Sequence, residues 1–199
     1  MAALAQAMST AEMEVTPLDG DDRSLIRRIA KRRDTDAFER LYHAYRKRLG
    51  PFTFRIVRDA AANEEVFNDV MLTVWRKSHT YNGKSKVSTW IFSIAYRQCL
   101  KALRGRSRLA DEGEAIEPSV DERSSLERSD LVAQALTRLS PEHRLVIELS
   151  YFQGNNYREI AAIADCPENT VKTRVFHARR RLKEIVSELG EPATSEKGT

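Results

Sequence analysis

The chain has 199 residues and a formal net charge of +4, a length that fits one or two domains. The mildly basic balance is compatible with nucleic-acid binding but does not establish it, because both signs of charge are abundant. The two cysteines, Cys99 and Cys166, form no motif and indicate a reducing compartment. We see neither a signal-peptide pattern nor an apolar run long enough to span a membrane, so we expect a soluble, cytoplasmic protein.

Apolar residues recur three and four positions apart along most of the chain, without strand-like alternation. We therefore predict an all-α fold. An acidic stretch containing Gly113 and Pro118 interrupts the helical pattern, which indicates two small helical domains joined by a flexible linker. The predicted boundaries are a flexible N-terminal segment at 1–23, domains at 24–105 and 129–189, an acidic linker at 106–128 and a disordered tail at 190–199.

The first domain begins with an apolar stripe from Phe38 to Ile56, a helix that we expect Gly50-Pro51 to kink or split. A second stripe runs along Asn63–Trp75. The other side of this second helix carries acidic and amide groups, namely Glu64, Glu65, Asn68 and Asp69. From these residues alone, an ordinary solvated face is the better interpretation.

A third helix is predicted at about Val87–Arg104, and it differs from the others because cations and an aromatic side chain surround it. Such a mixture can follow a single-stranded backbone and stack unpaired bases. The residues concerned are Lys84, Lys86, Tyr96, Arg97, Lys101 and Arg104. Trp90 lies at core spacing and is better interpreted as buried, and Cys99 is expected to be core-facing or half-buried rather than reactive.

The second domain contains a helix-turn-helix pattern between Asn156 and Leu182. Asn156 and Glu159 have the spacing of a capping box, and Pro167 ends the first helix. The second helix has a narrow apolar stripe, so its other side is left to read base edges and hold phosphates. The candidate DNA-contacting residues are Glu168, Asn169, Thr170, Lys172, Thr173, Arg174, Phe176, His177, Arg180 and Arg181.

An enzymatic role is not indicated by any motif in the chain. We find no nucleophile elbow, no glycine-rich phosphate loop and no Cys or His at metal-ligand spacing around His177. We therefore expect no catalysis, no metal and no cofactor.

Three segments together resemble the extracytoplasmic-function (ECF) sigma factors of bacterial RNA polymerase. Glu64–Trp75 resembles region 2.2 of that family, and Val87–Arg104 resembles regions 2.3 and 2.4. Leu139–Arg144 and Asn156–Leu182 together resemble region 4.

The resemblance implies a role for each surface. Glu64, Glu65, Asn68 and Asp69 would bind the clamp helices of the polymerase β′ subunit, and the second domain would meet the β flap. The loop Tyr81–Lys86, with Tyr81 and Asn82, and the helix from Trp90 to Arg104 would melt the promoter minus-ten element. The helix after Pro167 would read the minus-thirty-five element in duplex DNA, and the linker would thread toward the RNA exit path. An anti-sigma partner and a stress-response role are also implied.

Three positions depart from the family pattern. Arg97 and Lys101 stand where the family often has Asn and Asp, so they add positive charge to the melting helix. Asn68 replaces a common Gln with a shorter amide that keeps the same donor and acceptor groups. A stand-alone helix-turn-helix repressor or activator is the main alternative function, and a DNA-acting enzyme is a third.

Overall fold

The computed structural model describes residues 19–111 and 134–190, and within these two ranges the regular structure is entirely helical. The predicted all-α fold is therefore confirmed. The first range contains α1 (Asp19–Arg32), α2 (Thr35–Val57), α3 (Ala60–Lys77), a 3-10 turn (Ser78–Thr80) and α4 (Val87–Asp111). The second range contains helical residues 134–137, α5 (Pro141–Ile147), a π-helical turn (Glu148–Phe152), α6 (Tyr157–Ala164) and α7 (Glu168–Gly190).

Side-chain caps explain where several of these helices begin. Asp34 accepts a hydrogen bond from the Ala37 amide at the start of α2, at 2.9 Å. Asp59 does the same for the Ala62 amide at the start of α3, at 2.7 Å. Each carboxylate satisfies an amide that has no partner inside its helix and lies at the positive end of the helix dipole.

Helix α2 runs through Pro51 without interruption, so the split that we considered is wrong. Proline removes one backbone hydrogen bond and usually kinks or breaks a helix. Here the surrounding turn is held by packing, because Leu49, Phe52 and Thr53 are all 0% exposed. The helix ends instead at Arg58, whose backbone is left-handed with φ 58°.

Two predicted boundaries are corrected by the helices. Helix α1 starts at Asp19 and so includes residues 19–23, which we predicted to be flexible; it is anchored where Leu25, Ile26 and Ile29 enter the core. Helix α4 continues to Asp111 and so includes residues 106–111, which we predicted to begin the linker. Residues 1–18, 112–133 and 191–199 lie outside the described part of the chain.

Each helical unit has its own core, and the two units also touch. The first core is centred on Tyr45, Phe52, Phe67 and Phe92, all at most 1% exposed. The second is formed by α5, α6 and α7 around Leu145. Across the boundary, α4 packs against α6 and α2 meets α5. Within the described ranges, no helix combines the length and apolar character needed to cross a membrane.

Candidate DNA-binding and partner-binding surfaces

Local capping and turn-forming residues define the helix-turn-helix. The Asn156 side chain accepts from the Glu159 amide at 2.9 Å, and the Glu159 carboxylate accepts from the Asn156 amide at 3.0 Å, which confirms the predicted capping box. The turn is made by Asp165, whose backbone is left-handed with φ 52°. On the inner face of α6, Ile160 is buried, and Ile163, which was not among the predicted residues, is buried as well. Its spacing of three from Ile160 was the available signal.

Helix α7 presents a polar side to solvent. Its predicted apolar stripe of Val171, Val175, Ala178 and Leu182 is at most 4% exposed, and Ile185 extends it by one turn. Among the DNA-contacting candidates, Thr170 and Arg174 are half-buried. The exposed candidates are Glu168, Asn169, Lys172, Thr173, Phe176, His177, Arg180 and Arg181.

The exposed groups on α7 are available for a ligand. Phe176 is 64% exposed, the most of any large apolar side chain in the described ranges, and its ring centroid lies 5.4 Å from that of His177. Lys172 pairs with Glu168 at 3.4 Å and Arg180 with Glu184 at 3.8 Å. Exposed pairs of this kind contribute about 0–1 kcal/mol, so a phosphate can readily replace the carboxylate.

The loop between the 3-10 turn and α4 is ordered by its own side chains. The Tyr81 hydroxyl donates to the Ser85 carbonyl at 2.5 Å, and its ring lies 5.6 Å from that of Trp90. Asn82 accepts from the Lys84 amide at 3.0 Å. Gly83, with φ 73°, makes the turn that these bonds require. Asn82, Lys84 and Lys86 are exposed, whereas Tyr81 is half-buried.

A basic groove lies beside this loop, and the sequence reasoning missed it. The groove has a volume of about 400 Å³ and is lined by α1 and by the segment from Ser78 to Gly83. Arg23, Arg27 and Lys31 contribute the cations. Their spacing of four places them on one side of α1. Arg23 fell in the segment predicted to be flexible, and Arg27 and Lys31 fell in the first domain without an assigned role.

The candidates on α4 separate into exposed and covered groups. Arg97, Lys101 and Arg104 are exposed, and Arg97 donates to the Ser93 hydroxyl at 3.1 Å. Trp90 is half-buried, so it is neither a fully buried core residue nor a fully exposed DNA-contacting one. Tyr96, which we expected to face DNA, is only 5% exposed. Burial raises the pKa of its hydroxyl, and α6 of the second unit packs against the same helix.

Helix α3 carries the acidic face that the sequence indicated. Glu64, Glu65 and Asn68 are exposed and Asp69 is half-buried. Glu64 pairs with Arg46 at 2.5 Å. Leu72, one turn further along, is 43% exposed and was not among the predicted residues. The spacing of Glu65, Asn68, Asp69 and Leu72 puts them on one side of the helix, an acidic surface with an apolar end.

Metal chemistry is not indicated by the described residues, among which no group of three or more His, Cys, Asp or Glu could hold an ion. Cys99 is 0% exposed, as expected for a core thiol, and burial raises its pKa to about 12. Neither observation points to reactive chemistry at neutral pH.

The two helical units match known protein families. Residues 41–109 match the family described as Sigma-70 region 2, and residues 129–182 match Sigma-70, region 4. The ECF RNA polymerase sigma factor RpoE of Cereibacter sphaeroides is 31% identical over 170 residues, covering 82% of this chain and 94% of that protein. The ECF RNA polymerase sigma factor SigL of Mycobacterium tuberculosis is 29% identical over 157 residues, covering 75% and 89%.

Solved structures agree with this assignment. The sigma factor RpoE from Bartonella quintana, crystallised with the anti-sigma factor NepR, has a TM-score of 0.65 and 27% identity, covering 75% of this chain and 96% of that one. CnrH, in complex with the cytosolic domain of CnrY, shares the fold with a TM-score of 0.64 at 20% identity, covering 84% and 97%. Proteins of this kind initiate transcription and are not enzymes. The order of the two matched regions and the extent of these similarities show that the chain belongs to the ECF sigma factors of the sigma-70 family.

Proposed function

We propose that this chain is an alternative sigma factor that binds core RNA polymerase in the cytoplasm and directs it to a particular set of promoters. The observation that carries the proposal is the presence of two distinct DNA-suited surfaces on one chain. One is the exposed polar side of α7, and the other is the loop and basic side at the start of α4. A stand-alone repressor would need only the first of them.

The exposed side of α7 would read the minus-thirty-five element in the major groove. Asn169 can pair with adenine, and Lys172 or Arg180 can pair with guanine or hold phosphate. Phe176 is placed to meet a thymine methyl group. Arg180→Ala should weaken binding to a duplex carrying the element by roughly 1–3 kcal/mol if this guanidinium contacts guanine. An equal loss on every sequence would instead assign it to phosphate.

The loop Tyr81–Lys86 and α4 would act on the minus-ten element. Asn82 and Lys84 are exposed on a loop that is already ordered, which lowers the entropic cost of holding an extruded base. The groove beside the loop adds Arg23, Arg27 and Lys31, which suit the phosphates of the displaced strand. Arg97 and Lys101 add charge on the neighbouring helix, consistent with backbone contacts rather than base readout.

The acidic face of α3 would bind the polymerase. Glu65, Asn68 and Asp69, together with the exposed Leu72, suit a partner helix that offers cations around an apolar contact. Glu65→Lys should therefore weaken core binding while leaving the fold intact. Glu39→Lys is the matched control, because Glu39 is also an exposed carboxylate, 72% exposed, but lies on α2 and pairs with His43 of the same helix at 3.7 Å.

Transcription from the source genome tests the function directly. We expect purified core polymerase to start at discrete sites on genomic DNA only when this protein is added, with Glu39→Lys active and Glu65→Lys impaired. An absence of promoter-dependent stimulation would refute the proposal. Strong footprints by the protein without polymerase would favour a stand-alone regulator instead. Because the Bartonella relative is crystallised with an anti-sigma factor, we also propose an inhibitory partner of that kind, in a stress or environmental response.

A further inference from the structure

The basic groove beside the loop carries cations that no described carboxylate neutralises. It is lined by α1 and by the segment from Ser78 to Gly83, and its cations are Arg23, Arg27 and Lys31. All three residues are exposed, and none of them forms an ion pair within the described ranges. Neither Asp nor Glu occurs among the described residues that line the groove. The groove is therefore a positive site without a counter-ion from these residues.

Two acids of α1, Asp21 and Asp22, are engaged elsewhere. Asp21 pairs with Arg40 of α2 at 2.8 Å. Asp22 is 1% exposed and accepts a hydrogen bond from the hydroxyl of the buried Tyr45, also on α2, at 2.6 Å. Both carboxylates therefore bond to α2, and neither neutralises the cations of the groove.

The loop side of the groove is ordered and offers further hydrogen-bond donors. The Tyr81 hydroxyl donates to the Ser85 carbonyl, and the Asn82 side-chain oxygen accepts from the Lys84 amide at 3.0 Å. The side-chain nitrogen of Asn82 keeps its two hydrogens for a ligand. His79, which also lines the groove, is exposed. Because the loop is ordered by its own bonds, a ligand loses less free energy in fixing it.

The size and the floor of the groove suit a nucleotide. Its volume of about 400 Å³ lies in the range of small-molecule sites. Ile26 and Ala30 line it between the cations, and Ile26 is 2% exposed, so apolar surface lies next to the charges. Arg23 and Lys31 are eight positions apart, which is about 12 Å along a helix. A single phosphate cannot meet both ends of this row, whereas a polyphosphate with an attached planar ring can use the charges and the apolar floor.

Helix α1 ends at Arg32, before residue 41, where the match to Sigma-70 region 2 begins. The family match therefore does not cover the cations of the groove. We propose that the groove binds a free nucleoside polyphosphate, whose phosphates contact Arg23, Arg27 and Lys31. The displaced promoter strand offers the same phosphate chemistry, so a bound nucleotide excludes the strand from this part of the surface. The binding stands on the groove alone; its effect on the promoter rests on the function proposed above.

Isothermal titration calorimetry of the full chain in magnesium-free buffer tests the site. The probes are inorganic tripolyphosphate, ATP, GTP and the uncharged nucleosides adenosine and guanosine. We expect one-to-one binding of tripolyphosphate and of at least one nucleotide, and no binding of either nucleoside, because the phosphates supply the attraction. Binding of none of the phosphate probes would overturn the proposal. If both nucleotides bind much more weakly than tripolyphosphate, the ring has no place in the groove and the assignment to a nucleotide fails.

Arg27→Met removes the middle cation and keeps the apolar stem, so affinity for the phosphate probes should fall at least about tenfold, the effect of one charge-assisted hydrogen bond. Arg32→Met is the matched control. Arg32 is also exposed on α1 and has no ion-pair partner among the residues described, but it does not line the groove. At about 0.15 M salt, screening should limit its effect to less than about twofold. Equal losses would show attraction by overall charge and overturn the site.

A fluorescent oligothymidylate separates the free nucleotide from the promoter strand. We expect tripolyphosphate to weaken binding of this probe several-fold in the wild type and in Arg32→Met, and to have little effect in Arg27→Met. If binding of the oligothymidylate depends on Arg27 while no free nucleotide binds, the groove is a DNA contact only and the proposal is wrong. Bound nucleotide without competition would refute the exclusion of the strand. Failure of the transcription proposed above would leave the calorimetry unchanged, so the two failures are distinguishable.

Discussion

Replacing Arg144 by methionine should strongly destabilise the second unit. The guanidinium is 5% exposed, and burial lowers its pKa to about 10, so it is still a cation with all its donors at neutral pH. Arg144→Met keeps the side-chain stem but leaves the carbonyls of Leu136, Thr137 and Leu139 without this donor. At about 1 kcal/mol for each buried acceptor, the loss is about 3 kcal/mol, a large value for one substitution.

Urea unfolding can assign this loss to the correct unit. Trp75 and Trp90 are the two tryptophans of the chain and both lie in the first unit, so fluorescence follows that unit, whereas circular dichroism follows both. We expect Arg144→Met to shift mainly the transition seen by circular dichroism. Arg138→Met is the control, because Arg138 forms only an exposed pair with Glu188 at 3.6 Å, worth about 0–1 kcal/mol. Equal effects of the two variants would refute the role assigned to Arg144.

Three further predictions concern the caps and the core. Asn156→Ala breaks the capping box and should lower the free energy of unfolding of the second unit by about 1 kcal/mol, measured by urea titration. The Ala37 amide and Arg28 hold the pKa of Asp34 below 3.8, so its contribution to stability is present above that pH and is lost as pH falls through the lowered value; Asp34→Asn should flatten that part of a melting-temperature profile. Because burial raises the pKa of Cys99 to about 12, iodoacetamide should alkylate it only when the chain unfolds, as read by mass spectrometry.

Local signals predicted the helix-turn-helix well. The capping box of Asn156 and Glu159 and the stripe from Val171 to Leu182 each depend on residues three or four positions apart, a range in which periodicity and capping rules operate. The apolar stripe predicted on Asn63–Trp75 and the predicted burial of Cys99 also depend on apolar residues that recur at helical spacing along the sequence. Two expectations were wrong, because packing carries α2 through Pro51 and because α4 extends past Arg106 into the predicted linker.

Periodicity and capping rules could not predict contacts between residues that are far apart along the sequence. Tyr96 is an aromatic residue among cations, which suggested a DNA-facing role, but it is 5% exposed on α4, the helix against which α6 packs. Arg55 donates a hydrogen bond to Glu148, which lies 93 positions further along the chain, and no period connects them. One signal for Glu148 was available: it follows the apolar run Leu145–Ile147 and precedes Leu149, and an acid within such a run needs a buried partner.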